Sequence, residues 1–208
     1  LQFAKYRMEN IPEDFCQSTT VYVAPNFENA MNPDPFGAQI AWMDDTPPRV
    51  IPTIKNVEEI DRFEIPEPDA GLWGTTLEWW FEMRDLAHDT EVTVGGHKGR
   101  VDVAPLTMNG LGPFSIAVDL VGEDFYWWLL EYPEACHTML DRITKGMILA
   151  EASFRKADPR PRTEYAIGED SAQIVSPEIF REFCVPYVSL LYEAFGTGLA
   201  DGRGMHMC

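Results

Sequence analysis

The sequence predicts an α/β fold with parallel strands, and three observations carry that prediction. From about residue 72 onward, short β-branched runs alternate with long amphipathic ones. Those helical runs are long enough to serve as the crossovers that parallel neighbours require. Residues 1–68 differ: Pro12, Pro25, Pro33, Pro35, Pro47, Pro48, Pro52, Pro66 and Pro68 rule out long helices there. An open doubly wound sheet and a closed barrel both satisfy this order.

Taken in turn, Val21-Tyr22-Val23 and Ile40-Ala41-Trp42 read as short strands, and Val57 to Arg62 as a helical turn capped by Asn56. Leu72 to Ala87 is proline-free, with Leu77, Trp80, Phe81 and Arg84 at three- and four-residue spacing, which predicts an amphipathic helix. Glu91 to Val94 and Val101 to Leu106 read as strands. Leu111-Gly112-Pro113-Phe114 opens a helix to about Val121, and Phe125 to Leu130 forms a second. Pro133 sits in the first turn of a third, which continues to Lys156 and is broken by Asp158-Pro159-Arg160-Pro161. Tyr165-Ala166-Ile167 is a strand ending in Gly168-Glu169-Asp170. Ser176-Pro177-Glu178 supplies a hydroxyl cap, a first-position proline and a first-turn acid for a helix that reaches Phe195. Gly204 to Cys208 closes as a short strand.

With 45% hydrophobic and 12% aromatic residues the chain buries a substantial core. Its net charge of -18 argues against nucleic acid and against an anionic membrane surface as partners. No apolar stretch approaches the roughly 20 residues of a membrane span. Cys16, Cys136, Cys184 and Cys208 follow no disulfide framework, so they are expected as reduced thiols in a cytoplasmic protein. The chain opens on Leu1 and stops at Cys208 inside a strand pattern, so truncation at both ends is expected.

Three places could carry chemistry. In His206-Met207-Cys208 the outer two side chains project from one face of a strand, and imidazole and thiolate both suit zinc. The competing reading is a buried histidine and cysteine at a strand end. Glu169-Asp170 lies at the carboxyl end of a strand, the edge where parallel α/β proteins place their sites; adjacent acids there face opposite ways, so one is expected in the cavity. A solvated acidic loop is the alternative. Asn109-Gly110-Leu111-Gly112 precedes a helix start, where backbone N–H groups can receive an anion, although it departs from the dinucleotide-binding pattern. The pairs Trp79-Trp80 and Trp127-Trp128 read as packing residues.

The order of these pieces resembles the uroporphyrinogen decarboxylase superfamily. Gly112-Pro113-Phe114, Leu120-Val121-Gly122, Tyr132-Pro133-Glu134 and Ile143-Thr144 are similar to the middle of that family. Glu169-Asp170 with Ile174-Val175-Ser176-Pro177-Glu178 and Pro186-Tyr187 resembles the unit that follows. The resemblance implies a (β/α)8 TIM-type barrel, present here as one incomplete domain: residues 1–68 as a proline-rich approach and 69–208 as central β/α units. It further implies an enzyme.

His206 and Cys208 match the His-x-Cys zinc motif of the branch that moves a methyl group from a methyl-corrinoid, carried on a partner protein, to a thiol. A later cysteine completes the zinc site in that branch. Glu169 or Asp170 would then orient the acceptor or a zinc-bound group, with Asn109 and Gly112 shaping the cavity floor. The decarboxylase branch, which acts on a tetrapyrrole without metal in porphyrin metabolism, is the alternative. Its arginine-rich motif is not visible in residues 1–68, and a strongly acidic chain suits a polycarboxylate poorly. A non-catalytic barrel that binds a corrinoid or tetrapyrrole is a further alternative. An open barrel lacking a ligand is expected to be inactive on its own.

Overall fold

The computed structural model describes residues 6, 10, 20–94, 97–108, 110–198 and 202–207; the predicted site residues Asn109 and Cys208 lie outside them. Strand β1 (Thr20–Val23) is followed by a hairpin of β2 (Gln39–Ala41) and β3 (Arg49–Ile51). A 3-10 turn at Val57–Arg62 starts where Glu59 accepts the Asn56 N–H at 2.9 Å. Helix α1 (Gly71–Ala87) leads to β4 (Glu91–Val94) and β5 (His97–Val103). Helices α2 (Pro113–Val121), α3 (Asp124–Glu131) and α4 (Pro133–Ala157) then cross over to β6 (Glu164–Gly168). Helices α5 (Pro177–Phe183) and α6 (Val185–Phe195) cross over to β7 (Gly202–His206).

The parallel lanes that matter are β1 beside β5 and β6 beside β7. The chain leaving β5 comes alongside β6: the Gly168 N–H donates to Gly110 O at 2.8 Å, and Gly168 O accepts from the Gly112 N–H at 2.7 Å. Gly110 adopts φ 147°, open to glycine and closed to most other residues. The carboxyl ends of the continued β5 lane, β6 and β7 therefore meet along one rim. Among the described residues these lanes do not close into a barrel.

Three expectations need correction. Strands β4 and β5 pair antiparallel, because only Gly95-Gly96 separates them and a parallel return needs a dozen residues or more. The helix expected from Ser176 to Phe195 is two helices parted at Cys184; Pro186 has no N–H for the Glu182 carbonyl and its ring crowds that turn. The last strand is β7, Gly202–His206, with Met207 already outside it, and Cys208 lies outside the described residues.

Helix α4 organises the core. Cys136, Met139, Leu140, Ile143, Met147, Ala150 and Phe154 recur at three- and four-residue spacing and are all essentially inaccessible. Each large side chain among them contributes about 1.5–3 kcal/mol of burial. Cys136 and Cys184 are buried free thiols, and burial raises both their pKa values, that of Cys136 to about 12. In each tryptophan pair one ring is buried, Trp80 or Trp128, and the other is exposed, as neighbours on a helix must be.

Charged side chains satisfy much of the backbone in the stretch after β5. Asp158 accepts the Leu106 N–H at 2.9 Å and Glu151 the Met108 N–H at 2.8 Å. Arg160 donates to Val103 O at 2.8 Å, and Arg162 to Leu106 O at 2.7 Å. The acids are themselves neutralised: Arg155 bonds Glu151 at 2.6 Å, and Arg160 bonds Asp158 at 2.7 Å. No helix among the described residues is long and apolar enough to cross a membrane.

Asp119 on α2 breaks this pattern. Its Oδ2 is buried with no hydrogen-bond partner among the described residues, and desolvation lifts its pKa from 3.8 to about 6. Between those values the folded chain binds more protons than the unfolded one, so stability falls as pH rises from about 4 to about 6. Replacing Asp119→Asn should remove roughly 3 kcal/mol of that pH dependence in urea titrations. Parallel stability curves for the two proteins would contradict it.

Candidate active site

Strand parity decides which side chains reach the rim. Tyr165 packs its ring against Tyr192 and Phe195 of α6, and Arg203 lies over Tyr192, so that face of the β6–β7 pair is covered by helix. The register pairs Ala166 with Gly204 and Gly168 with His206, and alternation puts these four residues on the opposite face. Three small residues thus leave room beside one imidazole. His206 is exposed there, at the carboxyl end of β7.

The adjacent acids follow β6, where the chain turns into a 3-10 helix at Asp170–Ile174, and they part. Glu169 turns into the helix layer and is 0% exposed. Its Oε2 accepts the Ser115 N–H and the Ser115 hydroxyl, each at 2.9 Å, and its Oε1 accepts the Phe114 N–H at 3.2 Å. Burial raises its pKa to about 7, opposed by the amides of Ser115 and Phe114 and the Ser115 hydroxyl. The anion received at the start of α2 is therefore internal to the chain. Gly112 is buried beneath it, its N–H committed to Gly168. Asp170 turns the other way, with Oδ1 3.7 Å from His206 Nε2.

Imidazole nitrogen and carboxylate oxygen are both zinc ligands. Two donors sharing a tetrahedral ion at about 2.0–2.1 Å lie roughly 3.3 Å apart. The donors fit zinc in type, while their 3.7 Å separation is wider than that of two ligands of one ion and leaves Asp170 beside the imidazole. Among the described residues no three His, Cys, Asp or Glu side chains converge on one point, and Cys208 falls outside them.

Two features escaped the sequence reading. Asn32 is buried behind the rim, with its Nδ2 donating to Leu111 O at 3.1 Å and its Oδ1 without a partner among the described residues. Nothing in its local pattern marks it, since its partner is 79 residues away. A cleft of about 620 Å³ also opens between the loop after β1, residues 104–107 and Pro161–Glu164, with Arg155 and Arg162 in its wall. It meets the rim at Gly110; Asp170 and His206 do not line it.

A family model for uroporphyrinogen decarboxylase (URO-D) matches residues 26–208. The chain belongs to this family. Among solved structures, a methyltransferase from Methanosarcina mazei superposes with a TM-score of 0.63 at 17% identity. The match covers 99% of this chain and 54% of that one, so the chain spans about half the length of that relative. Such likeness shows a shared fold. No curated protein matches the chain by sequence.

The URO-D rim depends on a close approach that only glycine permits. A Cβ on Gly112 would stand 2.4 Å from Glu169 Oε1 and 2.5 Å from Ile167 Cγ2. Gly112→Ala is expected to lower stability by about 1–3 kcal/mol, read from the urea midpoint. An unchanged midpoint would mean that Glu169 does not occupy this position in solution.

Proposed function

We propose that the chain belongs to a zinc-dependent methyltransferase of the URO-D family, moving a methyl group from a methyl-corrinoid to a thiol. The observation that carries this reading is the pairing of His206 Nε2 with Asp170 Oδ1 at 3.7 Å on the open face of the rim. The name of the Methanosarcina relative and its fold likeness across the whole chain lend support. On this reading the parallel lanes form part of a closed (β/α)8 barrel.

His206 and Cys208 would hold the zinc, with a further cysteine outside these residues completing the site. The ion, when bound, lowers the pKa of the acceptor thiol so that it reacts as thiolate. Asp170 sits beside His206 and orients the imidazole or the acceptor group. Glu169 and Gly112 build the rim from behind, and Asn109 remains a proposed cavity residue next to Gly110 in sequence. The methyl-corrinoid arrives on a partner protein, and the chain's acidity suits a partner with a basic docking face.

Metal analysis of the full-length protein, purified with reduced thiols, tests this reading. About one zinc per chain is expected, with loss of both zinc and methyl transfer in the His206→Ala/Cys208→Ala variant. Absence of zinc together with metal-free conversion of uroporphyrinogen would instead establish the decarboxylase activity.

A further inference from the structure

Asp170 opens a 3-10 turn, Asp170–Ile174, that is anchored at its start on both sides. On one side, the Glu169 N–H donates to His206 O at 2.8 Å, tying the segment to β7. On the other, both backbone groups of Ser171 are taken by side chains of the helix layer. Its N–H donates to Ser115 Oγ at 3.2 Å, and its carbonyl accepts from the Tyr126 hydroxyl at 2.8 Å.

Ser115 is suited to this double task. It is 1% exposed, in the first turn of α2, and its single proton goes to Glu169 Oε2 at 2.9 Å. Its lone pairs are then left for the Ser171 amide. Tyr126 on α3 is half-buried and approaches from the neighbouring helix. Three elements, α2, α3 and β7, thus fix the backbone on either side of one partly exposed carboxylate. A framework of this kind restricts where the Asp170 side chain can stand relative to His206.

We infer that Ser115 and Tyr126 are positioning residues of this site: they hold Ser171, and through it the Asp170 carboxylate, against the His206 imidazole. The inference rests on the zinc reading given above. Carboxylates beside a ligating histidine set its orientation and basicity, and loss of such support typically weakens metal binding by about 10–100-fold. Removing either hydroxyl takes away one of the two side-chain anchors that fix the start of this 3-10 turn at Ser171. Ser115 also bonds Glu169, so the Asp170→Asn background is needed to separate the part of its effect that runs through Asp170.

Zinc affinity, measured by chelator competition on the full-length protein, tests this with Tyr126→Phe, Ser115→Ala, Asp170→Asn and the two double variants containing Asp170→Asn. Circular dichroism and the urea midpoint establish that each variant is folded. Tyr126→Phe and Ser115→Ala should each weaken zinc by about tenfold, and each should cost little more once Asp170 is already Asn. Wild-type affinity in the two single variants overturns this inference alone. An equal loss in the Asp170→Asn background also overturns it, because that pattern marks general damage to the fold. A wild-type protein that binds no zinc overturns the functional reading and this inference with it.

Discussion

The rim is built around one buried carboxylate, Glu169, set on the first turn of α2. Pro113 opens that helix without an N–H, so Phe114 and Ser115 present its free donors, and Glu169 accepts from both. The carboxylate reaches them because Gly112 has no side chain in the way. Through the same residue, the Glu169 N–H fastens the end of β6 to His206 on β7. One residue therefore joins two strand ends and a helix start. Past the end of β6 at Gly168 the chain turns into a 3-10 helix at Asp170, so Glu169 is buried while Asp170 stands beside His206.

The acids of the chain divide by environment. Glu151, Asp158 and Glu169 are buried and serve the backbone: each accepts main-chain N–H groups from the 106–115 stretch. The first two are matched by arginines, whereas Glu169 has the helix start instead. Asp170 is the acid left beside His206 on the exposed side. Most of the remaining negative charge lies on the surface, where solvent screens it. The net charge of -18 therefore says little about the site itself, whose character is set by a few placed groups.

What could be read from the sequence was local. Helix α4 declared itself through its stripe from Cys136 to Phe154, and α5 through Ser176, whose hydroxyl accepts the Ile179 N–H at 3.3 Å. Alternation along β7 puts His206 on the face opposite Arg203 and Met205, whereas Glu169 and Asp170 are separated by the turn from β6 into a 3-10 helix. The antiparallel β4–β5 pair and the break at Cys184 were also marked, by Gly95-Gly96 and Pro186, but long-range alternation outweighed those signals. What stayed hidden was tertiary. Glu169 finds Ser115 across 54 positions, and neither residue carries a sign of the other. The closed barrel implied by the family resemblance likewise lies beyond what the described strands pair.

The claim at the centre of this picture is that His206 and Cys208 share one zinc ion on the open side of the rim. X-ray absorption at the zinc edge of the full-length protein tests it most directly. The expected first shell holds imidazole nitrogen at about 2.0–2.1 Å and sulfur at about 2.3 Å, with one scatterer of each kind disappearing in His206→Ala and Cys208→Ala respectively. A shell without sulfur, or one unchanged by either substitution, would contradict it and return His206 to the role of a strand-end residue beside Asp170.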